Sequence, residues 1–238
     1  MLLDRDAAAR GMVRIRRDSR HWGMGFIVEL RPSSSGLRAT TEEYLLITFF
    51  RCVPPLSIYE LGLDPPARAI DWEVLPSPQE LGLDGTRAHV RPVTDESREL
   101  TTSVIGYEPF LGLAILSFWE EDPASIGSIH RSVADGVVRP LVVDITSPPA
   151  GRRFANVRTC DGAWCEGCVS GAMLQMDPKV GRPPQGTWGA PVCDDEGRVM
   201  GLVGCDIEYR DCCQCVILAD VLPGWITRRL HASESSQG

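Results

Sequence analysis

Six cysteines near the C-terminus are spaced in a way that could bind a metal ion. They form two short clusters, a C-x4-C-x2-C run and a CC-x-C run, which contain Cys160, Cys165, Cys168, Cys212, Cys213 and Cys215. Four thiolates from two such clusters can complete a tetrahedral zinc site. Carboxylates beside the cysteines, such as Asp161 and Glu166, would favour a bound cation. The spacing therefore makes structural zinc one hypothesis for this region.

Two other states of the cysteines remain open. The chain has nine cysteines, an odd number, so they cannot all pair within one molecule. The N-terminus lacks the apolar run of a secretory signal, which predicts an intracellular protein, cytoplasmic or nuclear. Disulfides are rare in those compartments. Unligated buried thiols and a few disulfides are the alternatives to zinc.

Cys193 and His89 are a second candidate pair for chemistry. An imidazole can activate a thiol as a nucleophile. Each residue also has a simpler interpretation, because both lie on predicted strands and a strand cysteine is commonly buried. A hydrolase that uses Cys193 and His89 is therefore kept as an alternative function.

The composition narrows the classes of partner. The chain has 238 residues, of which 43% are hydrophobic and 24% charged, as in ordinary globular proteins. No apolar stretch approaches the roughly 20 residues that span a bilayer, so we expect no membrane partner. The net charge of −8 argues against nucleic acid as the main partner. We expect the basic edge made by Arg14, Arg16, Arg17 and Arg20 to be a solvated face.

Short apolar segments bounded by glycine, proline or aspartate are predicted to be β-strands. The segments are 11–17, 23–30, 44–53, 87–93, 111–118, 137–145, 154–159, 169–176, 191–193, 199–204 and 215–218. Many short strands at this spacing favour an all-β barrel or sandwich. One helix is predicted over residues 220–230, with Pro223 in its first turn and two arginines near its C-terminal end.

Five segments carry a family resemblance. They are 23–28 (GMGFIV), 46–53 (LITFFRCV), 83–95 (LDGTRAHVRPVTD), 112–118 (GLAILSF) and 186–204, which begins GTWGAPV. In this order and spacing, the sequence resembles the trypsin-like (chymotrypsin-fold) serine proteases, particularly the HtrA/Deg-like branch. The resemblance covers about residues 12–230.

The resemblance implies an all-β fold of two packed antiparallel six-stranded barrels with a C-terminal helix. The cysteine clusters would then border the pocket that selects substrates in this family. The expected divisions are a flexible polar arm at 1–10, an N-terminal barrel at 11–120, an inter-barrel connector at 121–136, a C-terminal barrel with the cysteine clusters at 137–219, a helix at 220–230 and a polar tail at 231–238.

The same resemblance assigns the catalytic positions, and none of them keeps its catalytic side chain. The histidine, aspartate and serine positions are Arg51, Gly112 and Trp188. Arginine cannot act as a general base, glycine cannot orient an imidazole, and an indole is not a nucleophile. The oxyanion loop would persist as the backbone N–H groups of Gly186 and Trp188.

These replacements imply a catalytically inactive protease homologue, a pseudoprotease that binds a protein partner or serves as a scaffold. The partner would contact the cleft between the barrels or the cysteine-rich rim of the pocket. Trp188 would either fill the vestigial cleft or act as an aromatic anchor for the partner. The alternatives are the hydrolase that uses Cys193 and His89, and a zinc-stabilised structural subunit of a complex.

Overall fold

The chain folds into two closed β-barrels of six strands each. The computed structural model describes residues 3–17, 20–30, 44–53, 87–108, 111–118, 124–125, 127–145, 151–179, 181, 183–184, 186–207 and 212–231. Neighbouring strands pair antiparallel throughout both barrels. The expected all-β fold class is therefore confirmed.

The first barrel contains the strands that precede the inter-barrel connector. They are β1 (Met12–Arg17), β2 (Arg20–Glu29), β3 (Tyr44–Phe49), β4 (Arg87–Pro92), β5 (Leu100–Glu108) and β6 (Leu113–Phe118), in the order β1-β2-β3-β6-β5-β4 around the barrel. Every residue of β3 after Tyr44 is buried, because one face of the strand fills the barrel and the other meets the second barrel. Sequence reasoning missed β5, although its threonines and valine favour a strand.

The second barrel contains six strands after the connector. They are β7 (Arg153–Arg158), β8 (Trp164–Ser170), β9 (Met173–Met176), β10 (Pro191–Cys193), β11 (Val199–Ile207) and β12 (Cys212–Ile217), in the order β10-β11-β12-β9-β8-β7. The predicted single strand at 169–176 is wrong. Gly171, with a φ of +56°, makes a turn there that separates β8 from β9.

The segment between the barrels is not a strand, contrary to the prediction for 137–145. Its backbone bonds alternately to both barrels instead: the N–H of Leu141 donates to the carbonyl of Ile27, and the carbonyl of Val142 accepts from the N–H of Val199. Val138 and Val143 are buried in this segment, whereas Val142 is exposed. Ahead of it, the expected connector contains a short helix over Ile129–Ala134, in which the side chain of Ser128 accepts a hydrogen bond from the N–H of Arg131.

The N-terminal segment also differs from the expected flexible arm. It contains a helix at Arg5–Ala9, in which the side chain of Asp4 accepts a hydrogen bond from the N–H of Ala7. Alanine is the best helix former, and burial of Ala8 and Ala9 fixes the helix against the barrels. The physical reason for the difference is therefore an alanine run with a good cap.

The predicted C-terminal helix is divided into two. Helices run over Leu218–Val221 and Gly224–His231, with Pro223 between them. Proline lacks the N–H that a continuous helix requires, and it disfavours helical geometry in the preceding residue. None of the helices in the described part of the chain is both long and apolar enough to cross a membrane.

Candidate functional site

The C-terminal end of β3 brings the first group of residues to the boundary between the barrels, where the resemblance implies a cleft. Thr48 and Phe49 are buried, and the Thr48 Oγ1 donates to the carbonyl of Met24 at 2.6 Å. The chain then makes a 3-10 turn over Phe50–Cys52. Arg51 lies exposed on this turn, with its guanidinium carbon 5.6 Å from the centre of the Phe50 ring.

Gly112 lies directly beside this turn, just before β6. Its carbonyl accepts a hydrogen bond from the N–H of Phe50 at 3.3 Å. Gly112 has a φ of +81°, and an added Cβ would lie 3.0 Å from Val216 Cγ2 and 3.1 Å from Phe49 Cε2. Both the backbone and the packing therefore require glycine here, which leaves the site without a side chain at this position.

Trp188 reaches the cleft from the second barrel. It lies in a loop that Gly186 and Gly189 shape with φ values of +100° and +81°. The Trp188 carbonyl accepts hydrogen bonds from the N–H of Met24 at 2.7 Å and from the Cys52 Sγ at 3.2 Å. Its indole, which is half-buried, meets the Phe49 ring edge-on at a centroid distance of 6.5 Å. The loop is thus fixed against the end of β3.

The structure places the three positions assigned from the resemblance around Phe49. Gly112 and Trp188 both approach its ring, and Arg51 follows it by two residues. The groups present at these positions are a guanidinium, a bare backbone and an indole. They can bind an anion, donate hydrogen bonds and pack against an apolar group, but they supply no general base and no nucleophile.

The loop that would carry the oxyanion donors is held by its own hydrogen bonds. The N–H of Thr187 donates to the carbonyl of Pro184 at 3.1 Å, and the Thr187 Oγ1 accepts from the N–H of Cys160 at 3.3 Å. Within the described part of the chain, no acceptor meets the backbone N–H of Trp188. Of the two donors assigned by the resemblance, the Trp188 amide is the one without an acceptor among the described residues.

The six cysteines of the zinc hypothesis are distributed over different faces of the second barrel. Cys165 and Cys168 both lie on β8, and side chains three residues apart on a strand point to opposite faces. Cys168 and Cys212 each pair with Gln175, from opposite sides, which separates their backbones by about 9–10 Å.

The remaining cysteines of the set are buried or lie near the oxyanion loop. Cys213 and Cys215 are buried in β12, and Cys160 follows β7. Among the described residues, no three histidine, cysteine or acidic side chains form a group that could hold a metal ion. Zinc binding stays a prediction. Among the described residues, Cys165, Cys168, Cys193, Cys212 and Cys215 form no disulfide.

The alternative catalytic pair, Cys193 and His89, is not brought together. His89 lies on β4 of the first barrel, and its Nδ1 is 3.1 Å from Glu99 Oε1. Cys193 lies on β10 of the second barrel with no exposed surface. Burial, together with the neighbouring Asp194, raises the pKa of the Cys193 thiol to about 12. Since the thiolate is the nucleophile, the burial of Cys193 and its place on the other barrel from His89 do not favour a hydrolase built on this pair, which stays a prediction.

Phe49 is the residue of the cleft that sequence reasoning missed. Its ring lies between the backbone of Gly112 and the indole of Trp188, and it also meets Phe50 edge-on at 4.8 Å. The available signal was its place two residues before Arg51 in the matched segment 46–53. Nothing in the sequence alone indicated that this aromatic side chain would face the other barrel.

Comparison with known proteins gives structural matches only. No protein-family model matches the sequence, and no curated protein matches it either. The structure of Deg5 matches with a TM-score of 0.52 at 14% sequence identity, covering 93% of this chain and 92% of that one. The serine endoprotease from Yersinia pestis matches with a TM-score of 0.51 at 14% identity, covering 97% of this chain and 67% of that one.

A third match is Rv3671c from M. tuberculosis H37Rv in an inactive form, with a TM-score of 0.47 at 15% identity, covering 98% of this chain and 91% of that one. At these identities the likeness concerns the fold. With its two closed six-stranded barrels, the chain has the trypsin-like serine protease fold, and HtrA/Deg-type proteins are among its structural neighbours.

Proposed function

We propose that this chain is a catalytically inactive homologue of the trypsin-like serine proteases and binds a protein partner in the cleft between its barrels. The observation that carries the proposal is the set of groups around Phe49. The residues that the resemblance assigns to the catalytic positions, Arg51, Gly112 and Trp188, all lie close to Phe49. Removal of the triad costs several orders of magnitude in rate, because its members act as a unit.

Binding is supported by what remains in the cleft. Tryptophan and arginine are the residue types most enriched at the energetic centres of protein interfaces. Trp188 is half-buried and keeps part of its ring accessible, while its carbonyl is held by Met24 and Cys52. A fixed backbone lowers the entropic cost of presenting such a side chain to a partner. We therefore favour Trp188 as an anchor rather than as a plug.

Two reactions test the absence of catalysis. The chain is incubated with labelled casein, and separately with a fluorophosphonate probe, with trypsin as the positive control. We expect no casein cleavage and no stoichiometric labelling by the probe. Labelling of one serine per chain, or cleavage that is lost on substitution of a single residue, would show that a displaced active site exists.

Peptide selection tests the cleft as a binding site. Binders to the wild-type chain are selected from a random dodecapeptide phage library and then measured on two variants. We expect Trp188→Ala to abolish binding, whereas Trp164→Ala leaves it unchanged. Trp164 is the matched control because it is also half-buried but lies on β8 beside Arg5.

Two outcomes would change the proposed binding site, and one further variant guards against misfolding. Equal binding to Trp188→Ala and wild type, with both melting at the same temperature, rejects the cleft as the binding site. If binding is lost in Cys168→Ser and in no other variant, the peptide contacts the cysteine-rich rim instead of the cleft. If Trp188→Ala melts early, Trp188→Phe replaces it, because phenylalanine retains the apolar packing and removes most of the indole surface.

A further inference from the structure

Arg51 is a cation that the described part of the chain does not neutralise. It is exposed at the edge of the cleft, and its described contact is the ring of Phe50. No carboxylate of the described residues lies within 4.0 Å of its guanidinium. A guanidinium presents several donors in a fixed planar fork, which suits a carboxylate.

Because position 112 is a glycine, it provides no carboxylate that could pair with Arg51. The position adjoins the Arg51 turn through the hydrogen bond from Phe50 to the Gly112 carbonyl. The positive φ of Gly112 and the contacts that a Cβ would make with Val216 and Phe49 exclude an acidic side chain there. The position beside the Arg51 turn therefore supplies no counter-charge.

Two acidic side chains, one on the second barrel and one on the segment between the barrels, are paired with arginines. Asp194 Oδ2 lies 3.0 Å from Arg198 Nε, and Asp144 Oδ2 lies 2.8 Å from Arg153. The whole chain carries a net charge of −8, so the exposed Arg51 has the opposite sign to the net charge. Attraction between opposite charges would steer an acidic partner to this point and away from the rest of the surface.

Apolar and hydrogen-bonding groups adjoin the cation. The Phe50, Phe49 and Trp188 rings form a continuous aromatic series, with edge-on contacts at 4.8 Å and 6.5 Å. The Trp188 amide has no acceptor within the described residues. Phe49 and Phe50 are buried, so the groups that a ligand could reach here are the exposed Arg51 guanidinium and the half-buried Trp188.

We infer that the partner is an acidic peptide segment: its aspartate or glutamate side chain pairs with Arg51, and an adjacent apolar residue packs on Trp188. The inference rests on the proposed function and specifies the chemistry of the partner at the same cleft. A backbone carbonyl of the segment accepts from the Trp188 amide. The recognition is polar at one end and apolar at the other, which fixes the direction of the bound segment.

The random dodecapeptide phage library is selected in parallel on the wild-type chain, Arg51→Gln and Arg139→Gln. Arg139 is the matched control, because it is exposed on the segment between the barrels and its change removes the same charge. We expect one acidic position to be enriched on the wild type and on Arg139→Gln but not on Arg51→Gln. Arg51→Lys, which keeps the charge without the planar fork, should retain part of the enrichment.

A peptide from the selection is then synthesised with its acidic residue and with the neutral amide in its place. The acidic form should bind the wild type about fivefold more tightly, the upper end of what an exposed ion pair contributes. The preference should vanish on Arg51→Gln and shrink as the salt concentration rises. Thermal melting of each variant establishes that it is folded.

The outcomes separate this inference from the proposed function. Binders that depend on Trp188 but show no acidic position, or an acidic preference that survives Arg51→Gln, overturn the acidic-peptide inference and leave the cleft as a binding site. Binders that do not depend on Trp188, or the absence of any binders, overturn both.

Discussion

The backbone carbonyl of Trp188 accepts a hydrogen bond from the backbone N–H of Met24 at 2.7 Å, and this bond joins the second barrel to the first. On the same loop, the N–H of Gly189 donates to the carbonyl of Val203 at 2.7 Å. The cleft loop is therefore held from both sides by backbone groups. Its position does not depend on the side chains that a working protease would have there.

The close contact behind this loop makes Gly189 sensitive to any side chain. An added Cβ would overlap the Met24 carbonyl and the Thr48 Oγ1, and the φ of Gly189 is +81°. We expect Gly189→Ala to lower the free energy of unfolding by about 3 kcal/mol, from backbone strain plus overpacking. Urea denaturation of the purified variant measures the loss.

Gly136→Ala is the matched control for that experiment. Gly136 also has a positive φ, +71°, but an added Cβ would meet nothing within 4 Å. Gly136→Ala should lower the free energy of unfolding only by the cost of backbone strain, about 1 kcal/mol. Equal losses in Gly136→Ala and Gly189→Ala would contradict the close approach of the loop to Met24.

Much of this cleft could be predicted from the sequence, because the positions are set by segments of conventional strand and turn pattern. Residues 46–53 end a buried strand and 186–192 form a glycine-rich turn, and the family resemblance of these two segments is what assigned Arg51 and Trp188. The contact of Phe49 with the opposite barrel could not be predicted, because it depends on how the two barrels pack. Packing between domains leaves no periodic signal in either segment.

The cysteine clusters show where spacing was insufficient. A C-x2-C run can bind a metal on a turn, but β8 begins at Trp164 and places Cys165 and Cys168 within one strand. Pairing with β7 and β9 decides how far that strand extends, and the sequence does not contain this long-range information. The helix at Arg5–Ala9 differs from the cysteine clusters, because its cap and its alanines are local signals that the sequence does contain.

Gly112→Asp, the change that would return a carboxylate to the cleft, should destabilise the fold. Its Cβ would lie 3.0 Å from Val216 Cγ2 at a backbone φ of +81°. We expect a loss of about 2–3 kcal/mol in the free energy of unfolding, measured with urea. Gly112→Asn, which has the same size without the charge, is the control.

The difference in stability between Gly112→Asp and Gly112→Asn tests the electrostatic field at the cleft. If Arg51 is unneutralised, the aspartate variant should be slightly more stable than the asparagine variant at low salt, and the difference should disappear at high salt. A less stable aspartate variant would indicate that acidic groups, rather than Arg51, dominate the charge near this position.

Thiol reactivity in the folded chain should follow burial. Cys168 is half-exposed, whereas Cys193 and Cys215 are buried. We expect a maleimide to modify Cys168 well before Cys193 and Cys215 at neutral pH, as followed by mass spectrometry of peptides. In urea the three cysteines should react at similar rates.

The same measurement tests the zinc hypothesis. A zinc site containing Cys165, Cys168 and Cys212 would protect all three together, and a chelator would release them together. Metal analysis of protein purified without a tag or added zinc should then find one zinc per chain, lost on Cys165→Ser. Reaction of Cys168 that is independent of chelator, in protein without stoichiometric zinc, would rule out its role as a ligand.

Alkaline pH should destabilise the fold through its buried thiols. Burial raises the pKa of Cys193 and that of Cys215 from 9.0 to about 12. Below pH 9 both thiols are protonated in the folded and unfolded states, so their contribution to stability is fully present. Above pH 9 the unfolded chain releases these protons while the folded chain keeps them, and stability falls by up to about 1.4 kcal/mol per thiol for each pH unit.

The slope of stability against pH between 9 and 11 is the measurement that isolates this effect, because Cys193→Ala and Cys215→Ala also create cavities that lower stability at every pH. Urea denaturation with a reducing agent present should give a shallower slope for each single variant, and the shallowest for the double variant. Since the two thiols belong to the same barrel but titrate only on unfolding, their contributions to the slope should add. A slope that is unchanged in the double variant would mean that these thiols are not the groups released.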